Sequence, residues 1–162
     1  MRSVLTILLL FIFLFTISIS ESVKTLTLKE VRQNFLDYIN DYRKDRGLEE
    51  LELRYSSIAQ IHASNQAEKD RYLAHRGFNS RAQQILDLLR KESIQDNSIF
   101  GFATVSENCC YFPVCIDPAK KAFLQFISSP THRSNLLKQY HYTAIGIDQG
   151  ESGCFYFCQI FF

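Results

Sequence analysis

The sequence predicts an α+β domain built as an α–β–α sandwich, and three observations carry that expectation. Apolar residues recur at helical spacing through the first half of the chain, two β-rich runs joined by a glycine-containing turn close it, and a strong helix start falls between strand-like stretches. The chain opens MRSVLTILLLFIFLFTISIS, where Arg2 precedes an apolar run from Val4 to Phe15 and Ser18 and Ser20 follow. This is the pattern of a secretory signal peptide spanning residues 1–20, with the two serines at the minus-three and minus-one positions of the cleavage site. The run is short for a bilayer span, which needs about 20 apolar residues, and no later segment is apolar enough, so no membrane span is expected after cleavage. The 162 residues less the first 20 leave 142, the size of one domain, with 21–27 as a short leader and 28–162 as the domain.

The elements follow in order. Thr27 and Glu30 form a candidate capping box for a first helix, with Val31, Phe35, Ile39 and Tyr42 along one face and Gly47 at its end. A second helix is expected from about Tyr55 to Leu73, carrying Ile58, Ile61, His62 and Asn65 on one face. Ser80 and Gln83 suggest a capping box for a third, with Ile85, Leu88 and Leu89 inward. The polar stretch KESIQDNS, 91–98, reads as a loop, and Phe100 to Val105 as a short strand leading into SENCCYFPVC. Asp117-Pro118 starts another helix, with Ala122, Phe123, Phe126 and Ile127 as its apolar face. Ser129-Pro130 starts a shorter one, and places His132 in its first turn, where the helix dipole disfavours an imidazolium. HYTAIGI (141–147) and CFYFCQIFF (154–162) are strand runs, with Asp148 to Gly153 as the hairpin turn.

Composition excludes some functions. Removing residues 1–20 takes away one basic residue and leaves 17 basic and 17 acidic side chains, so the clustered positive charge that nucleic acid requires is missing. Five cysteines, Cys109, Cys110, Cys115, Cys154 and Cys158, are all disulfide candidates in an exported chain, and an odd count leaves at least one thiol unpaired within the molecule. Cys154 and Cys158 lie about 13 Å apart along a strand, beyond the roughly 7 Å a disulfide allows. Each is expected to reach back toward the Cys109–Cys115 segment. No CxxC pair favours a zinc knuckle, no Gly-x-Ser-x-Gly elbow favours a serine hydrolase, and there is no Asn-x-Ser/Thr sequon. A cysteine nucleophile beside Glu107 is outweighed by the disulfide reading of the same residues. His62 reads as a satisfied core residue, His141 as exposed, and Arg133 as a structural ion-pair partner.

Four segments together carry a resemblance: LDYINDYRKDRGLEELEL (36–53), LAHRGF (73–78), SENCCYF (106–112), and SSPTHRSNLLKQYHYTAIGI (128–147) with the terminal FYFCQIFF. In this order they resemble the CAP superfamily, the SCP-domain proteins that include cysteine-rich secretory proteins, venom allergens and plant pathogenesis-related proteins. The resemblance implies a three-layer α–β–α sandwich with a cleft where two histidines and two glutamates meet. The histidines match His75 and His132, and the glutamate of the Gly-Glu-Asn motif matches Glu107. The second glutamate falls at Ser129, as in the bacterial-type branch, whose Ser-Pro-Gly-His-Arg segment resembles Ser129 to Arg133.

His75, His132 and Glu107 form a set that suits zinc or another divalent cation, with water completing the sphere, although no cofactor is required. The plainer reading of the same three is a buried hydrogen-bond network. The expectation is a secreted, extracellular binding module, monomeric or weakly dimeric, for a lipid, a sterol or an extracellular protein. The alternative is a metal-dependent, peptidase-like hydrolase with Glu107 as candidate catalytic group. The chain stops at Phe162, so the added cysteine-rich module that the resemblance associates with ion-channel toxins is not expected.

Overall fold

The computed structural model describes residues 26–95 and 104–162. The expected signal peptide, most of the leader and the region 100–103 of the expected strand lie outside these residues. Helix α1 (Leu28–Lys44) starts at the Thr27–Glu30 capping box: Thr27 Oγ1 accepts from Glu30 N at 3.2 Å, and Glu30 Oε2 accepts from Thr27 N at 2.8 Å. Its inner face is Val31, Phe35, Leu36 and Ile39. Arg43, 1% exposed, donates to four carbonyls, those of Glu49, Leu136, Lys138 and Tyr140, at 2.8–3.1 Å. It thereby pins the exit of a later helix to the end of α1.

The short strand β1 (Glu52–Leu53) precedes α2 (Ser56–Glu68) and α3 (Phe78–Gln95). Strand β2 (Ser106–Phe112), helices α4 (Pro118–Ser128) and α5 (Pro130–Leu136), and the hairpin β3 (Tyr142–Gln149) and β4 (Phe155–Phe161) complete the chain. The sheet order is β1-β3-β4-β2, with β1 parallel to β3 and the other pairs antiparallel. One face carries α1, α4 and Leu136 of α5, packed on Phe112, Phe157 and Phe161. The other carries α2 and α3 on Cys109, Ala144, Cys158 and Ile160. Every residue of β4 is buried, because this inner strand is covered on both faces. The expected three-layer α+β sandwich is therefore the architecture found. Helix α2 lies so close to β3 that a Cβ on Gly146 would fall 2.2 Å from the backbone of Ala59, which leaves room only for glycine.

Several boundaries differ from the sequence reading. Helix α2 ends at Glu68 and not near Leu73, because Asp70, in a left-handed turn (φ 44°), is held by the β3–β4 turn through Ser152 Oγ at 2.7 Å. Helix α3 begins at Phe78, so Ser80 sits inside it, where its carbonyl accepts from Gln84 Nε2 at 3.2 Å instead of capping. Leu88 faces outward, 37% exposed, while Ile85 on the side facing α2 is fully buried. The helix continues through Gln95, so the first part of the expected 91–98 loop is helical. The described strand begins at Ser106, where pairing with Phe161 sets its register. Helix α4 starts as expected, with Pro118 at its first position and the Asp117 carboxylate accepting from Lys120 N at 2.9 Å.

Candidate functional site

Alternation along β2 turns Glu107, Cys109 and Tyr111 to the α2–α3 side of the sheet. The Glu107 side chain is 1% exposed, so its charge requires close partners. Arg81 supplies them as a fork: Nε donates to Oε2 at 2.7 Å and Nη2 to Oε1 at 2.8 Å. The third nitrogen, Nη1, donates to the carbonyl of Arg76 at 2.9 Å. Gly77 (φ 79°) lets the chain turn beneath this guanidinium; a Cβ there would lie 3.3 Å from Nη1. His75, from the same turn and 48% exposed, places Nδ1 3.0 Å from Glu107 Oε1. In the neutral ring Nδ1 then carries the proton and Nε2 keeps its lone pair. Cys158 Sγ donates to Glu107 Oε2 at 3.4 Å. Burial would push the Glu107 pKa up, but the His75 hydrogen bond and the Arg81 guanidinium together outweigh it and hold it below the ordinary glutamate value.

His132 comes from the first turn of α5, and Asn108 sets where that helix sits. Asn108, fully buried, donates Nδ2 to the His132 carbonyl at 3.0 Å and accepts from Asn135 Nδ2 at 2.9 Å. The His132 ring lies 5.1 Å from Phe126 and 6.4 Å from His75 between centroids. Burial, and secondarily the neighbouring His75, lower its pKa and favour the neutral ring. Ser129 occupies the N-cap position of α5, yet its side chain makes no capping bond. It lines, with His132, Tyr72, Tyr111, Gln125 and Ser128, a groove of about 420 Å³. The rings of Tyr72 and Tyr111 stack at 4.7 Å along one wall, and Tyr111 stacks on Tyr156 at 6.1 Å.

Of the residues singled out in the sequence, His75 and Glu107 are hydrogen-bonded. His132 faces His75, and Ser129 lies beside His132 in the groove wall. Cys109 and Cys158 sit beside Glu107, whereas Cys110 points to the opposite face of the sheet. All five cysteines carry unbonded thiols. His62 is buried as expected, with Nε2 2.7 Å from the carbonyl of Ala74, and His141 is exposed. Ligand-capable atoms of His62, Glu107 and Cys109 also lie within 4.8 Å of one another. Arg133 is exposed; the arginine that pairs with Glu107 at this site is Arg81, a residue outside the set expected from the sequence. Its signal was local: a cation in the first turn of α3 opposes the helix dipole and needs a compensating anion.

Residues 36–161 match the pattern described as CAP, the cysteine-rich secretory protein family. A search of curated proteins returns no match. Among solved structures, an extracellular protein of Bacillus anthracis containing an SCP domain is similar with a TM-score of 0.57 at 19% identity. The alignment covers 85% of this chain but 44% of that one, so this chain spans under half of its length. An outer surface protein of Borrelia burgdorferi is similar with a TM-score of 0.52 at 12% identity, covering 85% of this chain and 96% of the other. At such identities the structural likeness speaks for the fold alone. With the family pattern running from α1 to the last strand on that fold, the chain belongs to the cysteine-rich secretory protein (CAP) family.

Proposed function

We propose that the protein is a secreted CAP-domain binding module that takes a lipid or sterol in the groove beside His132. The observation that carries this reading is the division between the site's two halves. Glu107 is fully engaged by Arg81 and His75 and acts as a brace. The space beside it is an open groove of about 420 Å³ with a wall of stacked tyrosines, within the size range of small-molecule sites. Tyr111 is 48% exposed and is placed to contact an apolar guest. Binding of a fluorescent sterol to the exported protein tests the reading. Tyr111→Ala is expected to weaken it about tenfold, roughly the 1.4 kcal/mol of one lost aromatic contact. Equal binding by wild type and variant, or no saturable binding at all, would sink it. Amino-terminal sequencing of the exported protein tests secretion itself, with Glu21 expected as the first residue.

One observation supports a second ligand at the same place. His75 and His132 face each other at 6.4 Å between centroids. Neither His132 ring nitrogen has a hydrogen-bond partner among the described residues, and His75 keeps Nε2 available. This pair suits a divalent cation such as zinc held by two imidazoles, with Glu107 behind His75 as the carboxylate that orients it. A cation held by these two rings would supply Lewis-acid polarisation. Glu107 holds the His75 ring and Asn108 holds the His132 backbone. With Glu107 braced and a serine at position 129, no free carboxylate from the expected set stands ready as a general base, so binding takes precedence over the hydrolase reading.

A further inference from the structure

Cys109 on β2 and Cys158 on β4 are directly opposed, 1% and 0% exposed. The kind of pair they form follows from the neighbouring ladder. Tyr142 and Phe162 exchange both backbone hydrogen bonds, so alternate residues of β4, Ile160 and then Cys158, turn their backbone groups toward Ala144 and Gly146 on β3. The N–H and C=O of Cys158 therefore point away from β2, and its pairing with Cys109 is of the non-hydrogen-bonded type. In that type the Cα atoms stand about 4.5 Å apart and the side chains make their closest approach. This lies within the roughly 4.4–6.8 Å that a disulfide accepts. Directly opposed residues project on the same face, and both thiols belong to the cluster packed under α2 and α3. Cys110, one residue along, belongs to the other face and cannot replace Cys109.

We propose that Cys109 and Cys158 are a modification site: oxidation joins them in a cross-strand disulfide in the floor of the Glu107 site. The two thiols exchange with one low-molecular-weight disulfide; the Cys109–Cys158 S–S bond forms, the donor's S–S bond breaks, and the donor leaves as two thiols carrying both protons. The bond ties β2 to β4 beneath the ion pair. It also changes the site, because Cys158 gives up the S–H that it now donates to Glu107 Oε2 at 3.4 Å. Glu107 keeps its hydrogen bonds with Arg81 and His75 but loses the one from Cys158, so oxidation is felt at the residue that orients His75. The rival for the same atoms is a buried cation held by His62, Glu107 and Cys109, whose ligand atoms lie within 4.8 Å of one another. The Arg81 guanidinium already occupies both Glu107 oxygens and would face that cation, which disfavours it.

An oxidising compartment for this step rests on the secreted reading, so the test supplies its own oxidant and the two can fail separately. The full chain is refolded in a glutathione redox buffer, alkylated in denaturant, and mapped by peptide mass spectrometry. Expected is a linked pair of peptides joining Cys109 to Cys158, formed equally in Cys110→Ser and lost in Cys109→Ser and Cys158→Ser. The oxidised wild type should unfold at higher denaturant than the reduced one. Full alkylation of Cys109 and Cys158 after oxidation, or Cys158 linked to another cysteine, would overturn the proposal. So would a stoichiometric bound metal that blocks both thiols. The wild-type map decides the matter even if a serine variant fails to fold.

Discussion

Replacing Arg81 with methionine probes what holds the site together. The substitution keeps most of the side chain's volume and removes the guanidinium that grips both oxygens of Glu107. The two side chains are 10% and 1% exposed, so water cannot take over the solvation of the orphaned carboxylate. The hydrogen bonds from His75 at 3.0 Å and Cys158 at 3.4 Å remain, and neither brings a fixed positive charge. Breaking a buried pair from one side costs about 3–5 kcal/mol. The control is Glu49→Gln, which breaks the contact with His141 at 3.4 Å where both side chains are more than 70% exposed. Its cost should stay under about 1 kcal/mol.

Acidification adds a second axis to the same test. In the wild type the folded Glu107 pKa lies below its usual 4.5, so its stabilisation is present above that value and is lost as pH falls through the lower folded pKa. In Arg81→Met the lowering by the guanidinium is gone while burial still raises the pKa, so the folded pKa is expected to move up and the Glu107 stabilisation at neutral pH to shrink. Urea unfolding of reduced protein at pH 7 and near pH 4.5 should show a wide gap between wild type and variant that narrows on acidification. A loss no greater than that of Glu49→Gln, or a gap unchanged by pH, would refute the assignment of Glu107 as a charged, buried brace.

Asn108→Ala removes the amide that holds the His132 carbonyl at 3.0 Å and receives Asn135 at 2.9 Å in a fully buried position. It should cost about 1–3 kcal/mol in denaturant unfolding, and should move the His132 imidazole resonances more than those of exposed His141. In zinc titration by calorimetry, His75→Ala and His132→Ala should each weaken binding about tenfold or more, while His62→Ala, whose Nε2 is 2.7 Å from the Ala74 carbonyl, should retain it. Unchanged affinity in both His75 and His132 variants would exclude the facing imidazoles as the ligands.

Local chemistry determined much of this protein in advance. Thr27 with Glu30, and Asp117 with Pro118, announce helix starts because a cap involves residues three apart; Gly150 and Gly153 announce the hairpin because glycine supplies the left-handed φ a turn needs, as Gly153 does at 82°. The motif residues His75, Glu107 and His132 stood out from their segments before any fold was known. What the tertiary structure decided concerns partners far apart in the chain. Helix α2 stops early because the β3–β4 turn, more than eighty residues later, captures Asp70. Arg81 reaches Glu107 across 26 positions, and Cys109 meets Cys158 only through the register of β2 against β4. A carboxylate's role depends on what surrounds it. In sequence Glu107 reads as a ligand or a base; in the folded chain Arg81 donates to both of its oxygens, the observation on which the proposed bracing role rests.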